Sequence, residues 1–275
     1  MRRFAFLVLI LIVPFKLPAG APEISAPNDA ESGLEQGTDI AKATAGGPAL
    51  AKDASEILAR MTEFISAAPV FTLVSDTGYE VLQKNGHMLE FGSQLTLAIQ
   101  RPSNAIGRFD ARDGGSATIV FDGSDILVYN TKENVYYTAR QPGDINTSLA
   151  LLAHQFAVPL QLVDFFSKDL KLSLGKAVKS GHYVGASMIS GVICDHLALR
   201  SEEQDVQVWI ARNEEPVPCR IIITYKQLEG QPRYWVQFNE WDFSPELSDA
   251  TFKFSPPESA KRVNYFIDRP GEDLK

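Results

Sequence analysis

The chain has 275 residues, of which 45% are hydrophobic and 22% are charged, so it is long and apolar enough to bury a sizeable core. Its formal net charge is −8 at pH 7, from 34 acidic and 26 basic side chains. Nucleic acid and anionic membrane surfaces repel an acidic protein, so neither is expected as a partner.

The first residues are typical of a secretory signal peptide. A basic start at Arg2 and Arg3 precedes an unbroken apolar run over 4–13, and small residues follow up to Ala21. The run is about half of the roughly 20 residues that a membrane-spanning helix needs, so no permanent anchor is predicted. We predict a cleaved signal peptide over 1–21. Its removal takes away three basic residues and no acidic one, which changes the net charge from −8 to −11.

The next segment is unlike the rest of the chain. Residues 22–50 are rich in Ala, Gly, Pro, Ser and acids, and they contain no aromatic side chain. Such a segment cannot bury enough apolar surface to offset its chain entropy. We therefore predict a flexible, low-complexity leader over 22–50, one folded domain over 53–266 and a disordered tail over 267–275.

The folded domain begins with a helix and two long strands. The period of the apolar residues predicts a helix over 53–67, which Pro69 ends. Two strands with alternating apolar residues follow, with a turn at residues 83–87. The apolar residues that we place on one face of this strand pair are Phe71, Leu73, Tyr79, Val81, Leu89, Phe91, Leu95 and Leu97. Shorter strands are predicted at 105–110, 116–121, 125–130 and 134–140.

The pattern changes to a helical period in the middle of the chain. Residues 146–179 suit two or three short helices, broken near Pro159. Their apolar positions include Leu149, Leu152, Phe156, Val163 and Phe166. The strand period then resumes, with strands predicted at 182–189, 191–200, 206–212, 218–226 and 233–243 before a helical turn and a final strand. Ten or eleven strands joined by short turns form an antiparallel meander that must curl.

Several stretches resemble one protein family. They are "ASEILARMTEFISA", "LTLAIQRPSNAIGRF", "FDGSDILVYNTKENVYYTA", "FAVPLQLVDFFSKD", "ISGVICDHLALRSEEQDVQVWIARNEEPVPCRIIITYK" and "DATFKFSPP". Together they are similar to the predicted periplasmic proteins of unknown function that form family 2092, over roughly residues 53–265. Cys219 departs from the pattern, which has a basic residue there. The resemblance implies a periplasmic location and a relative of the LolA and LolB lipoprotein carriers, with an incomplete β-barrel covered by helices on its concave side.

The resemblance and the pattern together suggest a function. We expect the eight apolar residues of the first strand pair to line a space that Leu149, Leu152, Phe156, Val163 and Phe166 cap. This space would hold a lipid, an acyl chain or a lipidated protein, and the protein would act as a carrier, chaperone or sensor. The alternative is an interaction module of the cell envelope, with a core filled by its own side chains and a protein partner.

An enzyme is not predicted. Cys194, Asp195 and His196 are adjacent, but in a strand Asp195 points away from the other two, so the three cannot converge on one reacting atom. Asp195 is expected on the apolar face, where a buried carboxylate needs a partner. The other histidines lack the paired spacing of a metal site, and no nucleotide-binding or hydrolase motif is present, so neither metal nor cofactor is expected.

The two cysteines are predicted to be free thiols. In a meander of the strands at 191–200, 206–212 and 218–226, Cys194 and Cys219 lie on the outer two strands. The middle strand would separate them by about twice 4.8 Å, which exceeds the roughly 7 Å between Cα atoms that a disulfide permits.

Overall fold

The computed structural model describes residues 50–145 and 178–264, which contain one α-helix, α1 (Lys52–Ala67). The first six strands are β1 (Val70–Leu82), β2 (Met88–Gln100), β3 (Asn104–Ala111), β4 (Ser116–Phe121), β5 (Asp125–Asn130) and β6 (Val135–Arg140). The other six are β7 (Ser180–Ile189), β8 (Val192–Arg200), β9 (Gln204–Ala211), β10 (Pro218–Tyr225), β11 (Arg233–Asp242) and β12 (Lys261–Arg262). A 3-10 helix, Asp249–Phe252, precedes β12.

All twelve strands belong to one sheet. Their order is β12-β6-β5-β4-β3-β2-β1-β11-β10-β9-β8-β7, so two meanders are joined where β1 pairs with β11. Every pair is antiparallel except β12 with β6. The described sheet is open, since β12 and β7 lie at its two ends. The count exceeds the predicted ten or eleven by β12, a strand of two residues that follows the 3-10 helix.

Helix α1 packs against one face of the sheet, which we call the inner face. Leu58, Met61 and Ile65 of the helix lie in one buried cluster with Phe71 and Leu73 of β1. Strands β2, β4, β5, β8, β9, β10 and β11 also contribute to this cluster. The helix forms because its apolar residues recur at helical spacing, and it ends before Pro69.

The sequence predicts a single curved antiparallel sheet that forms an incomplete β-barrel covered by helices on its concave side. The structure confirms this fold class as one open sheet of twelve strands, antiparallel except at β12, with α1 on its inner face. The helix and eleven of the strands match their predicted ranges within about two residues at each end. The helices predicted over 146–179 lie almost entirely outside the described residues. All described residues fall in one compact unit that begins at Pro48. No described helix combines the length and the apolar character needed to cross a membrane.

Candidate functional site

The inner face of the β1–β2 pair carries the eight apolar residues selected from the sequence. The strand register pairs Leu73 with Leu97, Tyr79 with Phe91 and Val81 with Leu89. Directly paired residues lie on the same face of a sheet, and every second residue along a strand does too. Phe71 and Leu95 therefore share this face. The register thus gives the eight residues the common face that their alternation predicts.

These residues divide into two groups along the hairpin. Phe71, Leu73 and Leu95 are buried in the core beneath α1, and Leu97 packs against them. At the far end of the hairpin, Tyr79, Leu89 and Phe91 have 41%, 44% and 43% of their surface exposed. The first group therefore stabilises the fold, and the second group is available for contact with another molecule.

We call Tyr79, Val81, Leu89 and Phe91 the apolar strip. The rings of Tyr79 and Phe91 stack with centroids 5.7 Å apart and an interplanar angle of 26°. Burial, and secondarily the carboxylate of Asp113, raise the pKa of the Tyr79 hydroxyl above an ordinary value that is already well above neutral pH, and the other three side chains carry no charge. Exposed apolar side chains that form a patch, rather than occurring singly, mark interaction surfaces.

A short polar segment separates the apolar strip from the core. Ser75, Thr77 and Ser93 lie on the same inner face between the two apolar groups. The Thr77 hydroxyl donates to the backbone oxygen of Ser93 at 3.1 Å, and its oxygen lies 3.0 Å from Ser93 Oγ. The inner face of this hairpin therefore has an apolar segment, a polar segment and a second apolar segment. The alternation in the sequence predicts which residues share the face, but it does not predict this division into segments.

The predicted cap of the cavity cannot be placed. Leu149, Leu152, Phe156, Val163 and Phe166 lie outside the described residues. A cavity between them and the apolar strip therefore stays a prediction.

The three adjacent residues Cys194, Asp195 and His196 alternate between the two faces as predicted. Asp195 lies on the inner face and is 3% exposed. Arg212 Nε donates to its Oδ1 at 2.6 Å, and the guanidinium of Arg60 on α1 lies 3.8 Å from Oδ2. The buried carboxylate therefore has the partner that was expected, and that partner is basic. The ion pairs link α1 to β8 and to the residue after β9.

A broad cavity adjoins this ion pair. Its volume is ≈ 690 Å³. It is lined by Asp53, Ile57, Arg60, Tyr183, Asp195, Arg212, Asn213 and Glu214. The three acidic side chains offset the two arginines, so the lining has no excess of positive charge with which to attract an anion. We assign the ion pairs of Asp195 with Arg212 and Arg60 a structural role, which is to hold α1 against the sheet.

His196 and Cys194 face the opposite, outer side of the sheet. The His196 ring stacks on Trp209 with centroids 4.2 Å apart, and its Nε2 lies 3.1 Å from Gln207 Oε1. Burial lowers the pKa of the His196 imidazole. Within residues 50–145 and 178–264, no group of three His, Cys, Asp or Glu side chains is placed to hold a metal ion.

The predicted separation of the cysteines is wrong. Cys194 Sγ and Cys219 Sγ lie 2.8 Å apart in the structure, where both cysteines are free thiols. The middle strand does not keep them apart because β9 ends at Ala211, the residue that pairs with Cys194. The register between β9 and β10 also shifts between Pro218 and Arg220, which places Cys219 in a bulge.

The sequence analysis missed an outer-face arrangement around Trp235. The indole lies against Gly78, which pairs with Gly92 across β1 and β2. Arg112 and Arg220 lie over its ring at 5.5 and 5.3 Å, and its Nε1 donates to Glu90 at 3.0 Å. Glycines inside strands often mark a site where another group approaches the backbone closely, so Gly78 and Gly92 are the signal in the sequence that could have indicated this arrangement.

A second exposed apolar patch was also missed. Met188 and Ile193 pair across the β7–β8 hairpin and are 67% and 55% exposed. Strand β7 is the last strand at one end of the described sheet, so the patch lies at a sheet edge.

These features define a class of protein with a large open antiparallel sheet. A helix packs against part of the inner face of the sheet, and apolar side chains farther along that face remain exposed. A sequence profile of the family described as "Predicted periplasmic protein (DUF2092)" matches residues 54–266. The chain belongs to this family, as the resemblance implied.

Solved structures with a similar arrangement share little sequence with the chain. An uncharacterized conserved protein from Thermus thermophilus is 13% identical, over 78% of this chain and 99% of its own, with a TM-score of 0.44. Lipoprotein LppX from Mycobacterium tuberculosis is 12% identical, over 72% and 100%, with a TM-score of 0.42. A LolA superfamily protein from Nitrosomonas europaea is 13% identical, over 72% and 96%, with a TM-score of 0.37. No curated protein matches the chain.

Proposed function

We propose that the protein is a non-enzymatic periplasmic carrier, chaperone or sensor that binds an acyl chain along the inner face of its sheet. The acyl chain belongs to a lipid or to a lipidated protein. The observation that carries this proposal is the apolar strip, because four side chains on the same face as the core remain in contact with solvent. The predicted signal peptide over 1–21 would deliver the protein to that compartment.

The chemistry of the apolar strip favours an extended apolar ligand. The strip contains two stacked rings and two aliphatic side chains, and it has no charged member. An acyl chain contributes about 0.8 kcal/mol per buried methylene, so about 15 methylenes contribute roughly 12 kcal/mol. If association costs about 4 kcal/mol, the remaining 8 kcal/mol or so corresponds to a dissociation constant near 1 μM.

The helical segment predicted over 146–179 is the proposed lid. Its apolar positions, Leu149, Leu152, Phe156, Val163 and Phe166, would cover the chain after binding. The polar group of the ligand would remain at the solvent end of the hairpin.

A second candidate function is an interaction module of the envelope. The observation that favours it is the patch of Met188 and Ile193 beside the edge strand β7, since edge strands accept extended segments of other proteins. In that case the protein partner would occupy β7, and the inner face would hold no separate ligand.

The direct experiment is titration of the purified protein with a fluorescent fatty acid. We expect saturable binding by the wild type and at least a tenfold loss of affinity in Phe91→Asp and Leu89→Asp, because a carboxylate in the strip would be desolvated by the acyl chain. The matched control is Thr96→Asp, an exposed position on the outer face of the same strand. Leu95→Asp is unsuitable because Leu95 is buried in the core.

Native mass spectrometry of protein purified from its own periplasm complements the titration. We expect a co-purified mass in the range of a lipid, absent from Phe91→Asp. If no acyl probe binds saturably to the wild type and no lipid co-purifies, the proposal of a carrier fails and the interaction module becomes the better interpretation.

A further inference from the structure

We propose that Cys194 and Cys219 are joined by a disulfide bond in the exported protein. The bond is independent of any ligand on the inner face, since both cysteines belong to a separate buried cluster with Trp209, Ala211 and Val217. Their sulfur atoms lie 2.8 Å apart. An S–S bond measures about 2.0 Å, so a small movement of two side chains brings the atoms into bonding range.

The geometry that brings the cysteines together comes from three strands. Cys194 pairs with Ala211, the last residue of β9. The small side chain of Ala211 leaves space for the two cysteine side chains to meet. The backbone N–H of Ala211 donates to Val217, so the chain returns directly into β10. A bulge places two residues of one strand opposite one residue of its neighbour, and here it turns the Cys219 side chain toward Cys194 across the end of β9.

The surroundings fit a structural bond better than a reactive thiol. Both cysteines are buried, and burial raises the pKa of each thiol, which leaves little nucleophilic thiolate in the folded protein at neutral pH. No described residue set around them could bind a metal. Two buried thiols in contact, in a family described as periplasmic, are therefore expected to form a bond, because the bacterial periplasm is oxidising.

The chemistry is a thiol–disulfide exchange with a protein disulfide of an oxidoreductase. The thiolate of one cysteine attacks a sulfur of that disulfide, which forms a mixed disulfide and releases one thiolate of the oxidoreductase. The second cysteine then attacks the sulfur of the first and releases the other thiolate. The pair loses two protons and two electrons, and the oxidoreductase disulfide becomes a dithiol. Because both cysteines are buried in the native state, an oxidoreductase reaches them only before β8, β9 and β10 have fully packed.

The test is thiol alkylation of the full-length protein, exported to the periplasm and purified without reductant. The protein is unfolded in guanidinium chloride with iodoacetamide, and its intact mass is measured before and after reduction. We expect no adduct before reduction and two adducts after it. A peptide map should contain a linked pair of peptides with Cys194 and Cys219.

Two variants make the result unambiguous. Cys194→Ser and Cys219→Ser should each show one adduct without reductant, which checks that alkylation reaches a single thiol in the unfolded chain. Two adducts on the unreduced wild type would overturn the proposal. One adduct per chain together with a doubled mass would also overturn it, because it would show a bond between two molecules. Because no ligand is involved, neither outcome bears on acyl binding.

Discussion

The imidazole of His196 occupies an apolar position on the outer face of the sheet. It stacks on Trp209 at an angle of 9°, and Gln207 lies within hydrogen-bonding distance of its Nε2. Burial disfavours the charged imidazolium and lowers its pKa; the hydrogen bond with Gln207 opposes this effect in part, and the nearby His182 adds to it. The group is therefore poised to remain neutral over a wider pH range in the folded protein than in the unfolded chain.

This arrangement predicts a pH dependence for His196. Its pKa in the folded protein should lie below the ordinary value of about 6.5, as measured by NMR titration of the ring protons, with the signal assigned by its loss in His196→Gln. Because the folded pKa is depressed, the unfolded chain binds the proton more readily. The contribution of His196 to stability is therefore complete above pH 6.5 and declines as the pH falls toward the folded pKa. A folded pKa at or above 6.5 would contradict the stacked, desolvated environment.

At the scale of the element, the β1–β2 hairpin depends on two glycines. Gly78 and Gly92 pair across the hairpin: Gly78 leaves space for the Trp235 indole on the outer face, and Gly92 lies close to the backbone of Thr77 and the side chain of Arg112. A Cβ atom at residue 92 would meet the backbone oxygen of Thr77, and it would lie 2.9 Å from Arg112 Cζ. The backbone oxygen cannot move without disturbing the strand pair.

Gly92→Ala should therefore destabilise the protein by about 1–3 kcal/mol, the range found when extra atoms are forced into a packed site. The measurement is the free energy of unfolding in guanidinium chloride. The matched control is Gly107→Ala on β3, where the nearest atom to the added Cβ is Leu97 Cδ1 at 3.5 Å, an ordinary contact. Equal losses of unfolding free energy in the two variants would show that the close approach at Gly92 does not affect stability.

At the scale of the whole molecule, the first residues that the structure describes already contribute to the core. Leu50 packs against the buried cluster, and the backbone N–H of Ala51 donates to Gly181 on β7 at 2.9 Å. The unit starts at Pro48. The proposed leader over 22–50 therefore overlaps the folded unit at its last few residues.

This boundary predicts the effect of truncation. A protein that lacks 1–47 should unfold at a midpoint within about 2 °C of the protein that lacks only 1–21, since a change of 1 kcal/mol shifts the midpoint by roughly 2–4 °C at this size. Removal of 1–51 instead should lower it measurably, because it deletes Leu50 and the hydrogen bond of Ala51. Thermal unfolding followed by circular dichroism distinguishes the three. A large loss on removing 1–47 would show that the leader is part of the fold.

The sequence by itself determined the helix, the approximate bounds of eleven strands and the face on which side chains lie wherever the strand pairing is regular. These properties follow from local periods of 3.6 and 2, which any window of the chain displays. It also placed Asp195 on the apolar face with a need for a partner, a backbone group or a basic side chain, and Arg212 and Arg60 fill that role. The family, too, could be recognised from short stretches of sequence.

The tertiary structure decided how the two meanders join and which apolar residues remain exposed. The pairing of β1 with β11 joins residues more than 150 positions apart, as in the hydrogen bond of Glu80 with Arg233, and no local pattern encodes it. Tyr79 and Phe91 have the same alternation as Phe71 and Leu73, yet they stay exposed because α1 covers the other end of the hairpin. The contact between Cys194 and Cys219 depends on one bulge, and a single extra residue in a strand reverses the facing that a strict period of two predicts.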